Sequence, residues 1–170
     1  MSELKELEAT LFSLCTELED AVPPEFETTG DSITSARADE YRTAIEEHEA
    51  EKVSRRELMA AAAVEIKTLW EEMAVTPSDS SIDQAIANGE PVGVSVSIVD
   101  STEGLLESLR TSKAEREAHI TSLGQDITKL WKQLEISKAK QVAFLSEHQG
   151  IGDSTIAAVS CWRQYRLGRA

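Results

Sequence analysis

Apolar positions recur at alternating gaps of three and four along three stretches of the chain. Leu4, Leu7, Leu11, Leu14 and Leu18 form the first stripe. The second runs Tyr41, Ile45, His48, Lys52, Arg55, Met59, Ala62, Ile66, Leu69 and Met73. The third runs Thr102, Leu106, Leu109, Lys113, Arg116, Ile120, Leu123, Ile127, Leu130 and Leu134. This spacing lays one seam along one side of an α-helix. It predicts a first rod helix over 1–22, a second long helix over 34–75 and a third over 101–136. No Gly or Pro falls within 34–75, whereas Gly104 and Gly124 interrupt the third stripe at modest cost. At about 1.5 Å per residue the two long helices would measure roughly 63 and roughly 54 Å, beyond an ordinary globular helix. The expected fold class is therefore all-α: an elongated antiparallel helical rod of coiled-coil or spectrin-like helices.

The punctuation is equally readable. Pro23-Pro24 end the first helix, and a polar stretch leads to an N-cap at Thr34 or Ser35. Thr76-Pro77 stops the second helix, because the residue before proline resists helical geometry. Residues 76–100 then read as an acidic, polar loop. A short helical turn over Ile82 to Ala87 stops at Asn88-Gly89. Val92, Val94, Val96 and Ile98 alternate with small residues, a strand-like pattern that predicts an extended strap, since one strand makes no sheet. Asp100 to Thr102 would cap the third helix. Ser137 would cap a shorter helix holding Val142, Phe144 and Leu145. Gly150-Ile151-Gly152 breaks the chain before a last helix from Asp153-Ser154. Residues 137–170 thus read as a short helix and a divergent C-terminal helix that looks truncated.

Laying the stripes over one another exposes an internal repeat. Lys52-x-x-Arg55 recurs as Lys113-x-x-Arg116, and at the same offset Ile66-x-x-Leu69-Trp70-x-x-Met73 matches Ile127-x-x-Leu130-Trp131-x-x-Leu134. Leu11-x-x-Leu14-Cys15-x-x-Leu18 is a weaker copy. Each copy closes its helix. A tryptophan beside the seam widens the apolar stripe where a helix terminus must be held. Leu69, Trp70, Met73, Leu130, Trp131 and Leu134 are therefore candidate helix-end anchors, with core packing as their direct role. Repetition of such a unit suggests a stacked helical array.

Charge narrows the function classes. The net charge of −14 argues against nucleic-acid or anionic-membrane binding. It is concentrated early: residues 1–75 carry 19 acids against 7 bases, while residues 101–170 carry 8 against 10. That asymmetry suits two antiparallel pieces lying side by side. Cys15 and Cys161 are far apart, which fits neither a disulfide scaffold nor a zinc site. There is no apolar run of about 18 residues and no basic-then-apolar N-terminus. The expectation is an intracellular, soluble, helical protein without cofactor or metal.

Catalysis finds no footing in the pattern. His48, His119 and His148 have no nucleophile and orienting group at recognisable spacing, and Gly150-Ile151-Gly152 lacks the third glycine of a phosphate loop. The chain reads as no enzyme. The Lys-x-x-Arg pairs place cations on the seam, which calls for snorkelling stems and acids such as Glu49, Glu57 and Glu117. Control of helix register is the alternative role.

The Leu-Trp-x-x-Leu helix ends, Lys113-Ala114-Glu115-Arg116-Glu117 ahead of Ile127–Leu145, and Phe144-Leu145-Ser146 resemble the non-motor cross-linkers of antiparallel microtubules. These are the anaphase spindle elongation proteins, the plant microtubule-bundling proteins and the vertebrate protein regulator of cytokinesis. The resemblance covers residues 4–159 and concerns the rod only. It implies the spacer of a bundler acting in spindle midzone assembly and cytokinesis, in the cytoplasm on the cytoskeleton. The whole protein would be a homodimer that grips microtubules through a spectrin-like domain and basic tail outside this stretch. A kinesin is a further candidate partner. Two other readings stay open: a phosphorylation-regulated helical adaptor, and a generic coiled-coil tether. Thr76, in the single Ser/Thr-Pro pair, is a candidate phosphosite, and Arg163, Arg166 and Arg169 are candidate contacts to acidic tubulin.

Overall fold

The computed structural model describes residues 2–27 and 35–167, and among them it forms seven helices and no strand, the all-α class that the stripes require. These are α1 (Ser2–Leu18), α2 (Pro24–Glu27), α3 (Ser35–Met73), α4 (Ser81–Asn88), α5 (Val96–Gln133), α6 (Lys138–Glu147) and α7 (Asp153–Leu167). The expected cap at Thr34 lies outside the described residues. The chain divides into two compact units, Met1–Val64 with Ser80–Gly104, and Glu65–Asp79 with Leu105–Ala170.

In the first unit the leucine stripe of α1 does what its spacing requires. Leu11, Leu14 and Cys15 are buried against Phe26, Tyr41, Ala44 and Ile45, with Leu4, Leu7 and Val22 at the margin. The polar stretch after Pro23-Pro24 contains a helix that the pattern did not announce. Pro24 opens α2, where its missing N–H costs nothing, and Phe26 packs on Tyr41 with ring centres 4.6 Å apart. Arg37 lies over both rings, at 5.0 and 5.3 Å. Helix α4 is closed at both ends: Ser80 accepts the Asp83 amide at 3.1 Å, and Gly89 takes the left-handed conformation at φ 75°.

Two sequence expectations need correction. The first is the strap, which is short: α5 begins at Val96, so Val96 and Ile98 are helical, and Asp100 to Thr102 lie inside the helix instead of capping it. Period two and period 3.6 share the step i to i+4, so Val94, Ile98 and Thr102 serve a helical approach equally well. The start is settled from elsewhere in the chain. The Glu19 carboxylate accepts the Ser97 amide at 2.8 Å and its hydroxyl at 2.9 Å. Thr102 is fully buried and donates to Ile98 O at 2.8 Å.

The second correction concerns direction. Glu3 pairs with Arg42, Glu17 with Lys52, and the Leu18 carbonyl with Arg55, so α1 and α3 ascend together. In the second unit Glu65 pairs with Arg110, Glu72 with Lys113, and the Met73 carbonyl with Arg116, so α3 and α5 also run parallel. Neighbouring long helices within each unit are parallel, not antiparallel. The connectors make this feasible. Residues 135–152 must return along α5 from Leu134 to the level of Arg116, about 27 Å of helix. At roughly 3.3 Å per extended residue a link of that length has ample reach, even with α6 folded into it.

The core of the second unit joins Leu123, Ile127, Trp131 and Val159, with Ile136 and Phe144 packed against them. Trp131 meets Phe144 edge-on, ring centres 6.0 Å apart. Helix α6 has no fully buried residue and leaves Val142 and Leu145 exposed. Ser137 stands at its N-cap with extended backbone, but the hydroxyl makes no capping bond. Helix α3 ends at Met73 and α5 at Gln133, both short of the expected limits.

Candidate functional site

The three copies of the repeat converge on one helix-end geometry. The residue after the last anchor is left-handed each time: Glu19 at φ 57°, Ala74 at 52° and Glu135 at 52°. The amides fold back identically. Glu19, Ala74 and Glu135 donate to Thr16, Glu71 and Lys132, and the next residues, Asp20, Val75 and Ile136, donate to Cys15, Trp70 and Trp131. This satisfies part of the carbonyl set that every helix end leaves open.

The anchors hold these ends to different degrees. Leu69, Trp70 and Met73 are buried, at 5, 6 and 0% exposure, and so are Leu130 and Trp131 at 8 and 7%. Leu134 is not a buried anchor: it is 38% exposed, although its counterparts Leu18 and Met73 are both at 0%. Cys15 takes the tryptophan position in the first copy, where burial first and Asp20 second push its thiol pKa up.

Seam cations meet the first two of these ends. Arg55 donates to Leu18 O at 2.9 Å and Val94 O at 3.4 Å, grips both Asp20 carboxylate oxygens at 3.1 and 3.0 Å, and pairs with Glu51 at 2.7 Å. Arg116 donates to Met73 O at 3.0 Å and Ile151 O at 3.4 Å, and pairs with Asp153 at 2.9 Å. The lysines three residues earlier hold the acid just before each helix end: Lys52 on Glu17, and Lys113 on Glu72 at 2.7 Å. Among the acids expected from the sequence, Glu117 stands 4.0 Å from Lys113; the closer partners come from neighbouring segments. Hydrogen bonds to Glu51 chiefly, then to Asp20, hold Arg55 above its ordinary pKa, and Glu72 does the same for Lys113. The Ser97 amide and hydroxyl hold Glu19 below the usual carboxylate range.

The remaining candidates stay apart from these ends. Thr76 is exposed in the link after α3. Arg163 and Arg166 fall on α7, but their side chains, and Arg169 altogether, lie outside the described residues. His48 Nδ1 lies 2.8 Å from Ala44 O, His148 packs on Phe144 at 4.5 Å, and His119 is exposed. Among the described residues no three His, Cys, Asp or Glu side chains gather as a metal site would require. A cavity of about 620 Å³ is lined by Ile120, Gly124, Ile127, Trp131, Phe144 and Val159, with Thr121, Thr128, Lys129, His148 and Thr155 also at its wall. The arrangement joins helices.

Residues 1–161 match the family described as microtubule associated protein (MAP65/ASE1 family). The chain belongs to the MAP65/ASE1 family. Anaphase spindle elongation protein 1 of Schizosaccharomyces pombe is 28% identical over 151 residues, which is 85% of this chain and 21% of that protein. The chain therefore spans about a fifth of that relative's length. No described helix is long and apolar enough to cross a membrane. As contacts of these helix ends, Glu19, Asp20 and Asp153 escaped the sequence reading. The signal that could have found Asp20 and Asp153 is an acid just past a helix end or at a helix start, facing a repeated arginine.

Proposed function

We propose that this chain forms a spacer segment of an antiparallel-microtubule cross-linker, acting in the spindle midzone and in cytokinesis. The observation that carries this is the recurrence of a long helix, 39 residues in α3 and 38 in α5, with the same closure at its end. At about 1.5 Å per residue each helix measures roughly 60 Å, a length suited to holding binding ends apart. The mechanism is mechanical: a stiff helical segment fixes a distance, and contact with the polymer belongs to other parts of the whole protein. Homodimerisation and a kinesin partner are expectations for that whole protein. The acidic surface supports the division of labour, since a net charge of −14 repels the acidic polymer, most of all at low salt.

Co-sedimentation tests the reading. The chain on its own should stay in the supernatant with taxane-stabilised microtubules even at low ionic strength. A full-length family member should cross-link them, and deleting this segment from it should narrow the gap seen by electron tomography. An unchanged gap would refute the spacer role. Binding by the chain that disappears when Arg163, Arg166 and Arg169 become Ala would make the tail a contact.

Exposed Thr76, three residues past the end of α3 and followed by half-buried Pro77, favours regulation as a second reading. Phosphate there adds about −1.5 to −2 charge near an acidic helix C-terminus, which the dipole disfavours. The end of α3 should loosen. Intact-mass analysis after treatment with a proline-directed kinase, finding Thr76 unmodified, would remove it.

A further inference from the structure

We infer that Arg55 and Arg116 are joint residues: each fastens the end of one long helix to the start of the helix two ahead in the long series. Arg55 on α3 holds the last carbonyl of α1 and the carbonyl of Val94, just before α5 begins. Arg116 on α5 holds the last carbonyl of α3 and the carbonyl of Ile151, just before α7 begins. The two arginines occupy the same place on their helices: Arg55 lies as far along the chain from Ser35 as Arg116 lies from Val96. Both side chains are largely covered, at 16 and 18% exposure. Each joint is therefore one guanidinium whose donors are divided between a helix end, a helix start and a carboxylate.

Direct contacts close the joints further. In the first, Glu19 bridges from the end of α1 to the Ser97 amide and hydroxyl in the first turn of α5. In the second, Gly152 comes so close to the end of α3 that an added Cβ would lie 3.2 Å from Ala74 Cβ and 3.4 Å from Met73 O. The same left-handed closure recurs at Glu135, where the last anchor, Leu134, is 38% exposed, whereas the two fastened ends bury theirs completely.

This deepens the spacer reading and rests on it for its purpose, since a spacer is only as stiff as its joints. The joint itself can be tested without microtubules. Amide hydrogen exchange would be measured on the full chain carrying Arg116→Gln, Arg116→Lys or, as control, Arg110→Gln, which breaks only the Glu65 pair. Losing hydrogen bonds from a charged donor should speed exchange across residues 153–159 by about 10-fold or more in Arg116→Gln, because local opening sets these rates. Residues 96–104 should keep parental rates. Arg116→Lys should not restore protection, since one ammonium cannot reproduce the planar fork that spans two carbonyls and a carboxylate. Arg55→Gln should give the complementary pattern at 96–104. If Arg116→Gln lowers overall helicity, Gly152→Ala replaces it, wedging the same joint sterically and opening the same segment. Uniform acceleration along the chain, no change at 153–159, or an equal change in Arg110→Gln would overturn the joint. A joint that passes while tomography shows an unchanged gap would sink the spacer reading alone.

Discussion

Removing the indole of Trp131 tests whether the repeat's tryptophans hold helix ends. Trp131 is 7% exposed, lies in the cluster of Leu123, Ile127 and Val159, and meets Phe144 edge-on at 6.0 Å. A buried tryptophan hides about 150–250 Å². At about 25 cal/mol per Å² that corresponds to roughly 4–6 kcal/mol of transfer free energy, an upper figure because the unfolded chain already covers some of this surface. Trp→Ala replacements in cores cost about 3–5 kcal/mol once partial relaxation is included. The edge-on ring pair, about 0.5–1.5 kcal/mol, is lost with the same substitution. Trp131→Ala should therefore destabilise by about 3–5 kcal/mol, and Trp131→Leu by less because it refills part of the space. Urea unfolding followed by far-ultraviolet circular dichroism reads this directly. With a slope of about 2 kcal/mol per molar, the midpoint should fall by roughly 1.5–2.5 M for Ala, the slope unchanged. Trp70, at 6% exposure, should behave alike. A midpoint that does not move would mean the ring contributes no burial, and the repeat would then need a partner-binding explanation.

Glu135→Gly should stabilise by about 1 kcal/mol in the same assay, because glycine adopts φ near 52° without the Cβ clash and Glu135 is exposed. Glu19→Gly relieves the same kind of strain but removes the cap on Ser97, so its gain should be absent or reversed. Gly104→Ala should add about 0.5–1 kcal/mol, since the position is inside α5 and an added Cβ would meet nothing within 4 Å. Acid should weaken the fold in a defined window. Ser97 depresses the Glu19 pKa and Arg110 that of Glu65, so their stabilisation is fully present above the unfolded value, about 4.3, and is lost as pH falls through the lower folded values. Thermal melts should change little through these groups from about pH 7 to 5 and fall below about pH 4.5, and Glu19→Gln should flatten that fall.

Much of the fold was legible because its helices are long and one-sided. The Leu4-to-Leu18 stripe, the uninterrupted pattern from Tyr41 to Met73 and the constant offset of the repeat are local or periodic signals, and local signals survive in a single sequence. The start of α5 was not legible from Val92 to Ile98. The step from Val94 to Ile98 satisfies both periods, and the deciding contact comes from Glu19, far from Ser97 along the chain. Helix direction was hidden for a related reason. A stripe says which face is buried but not which way the neighbour runs, and the long connectors permit either answer. The exposure of Leu134 was invisible too, because its local motif matches that of Met73, which is fully buried.

The cations on the seam were the one place where local consistency failed, and that failure locates the joints. A charge in an apolar stripe costs stability unless its desolvation is offset by well-placed hydrogen bonds. Helix ends supply such partners, since each leaves carbonyls without intrahelical donors. The order of the two cations then follows from their chemistry. Lysine, a compact charge, pairs with the carboxylate just before each end, Glu17 or Glu72. Arginine, one turn further on, reaches the terminal carbonyl and the approach to the next helix together, which only a planar fork of several donors can do. The pair Lys-x-x-Arg is thus ordered by what it meets along the neighbouring helix, acid first and open carbonyl second. Exchanging the two residues in either copy should lose both contacts while leaving composition and net charge untouched.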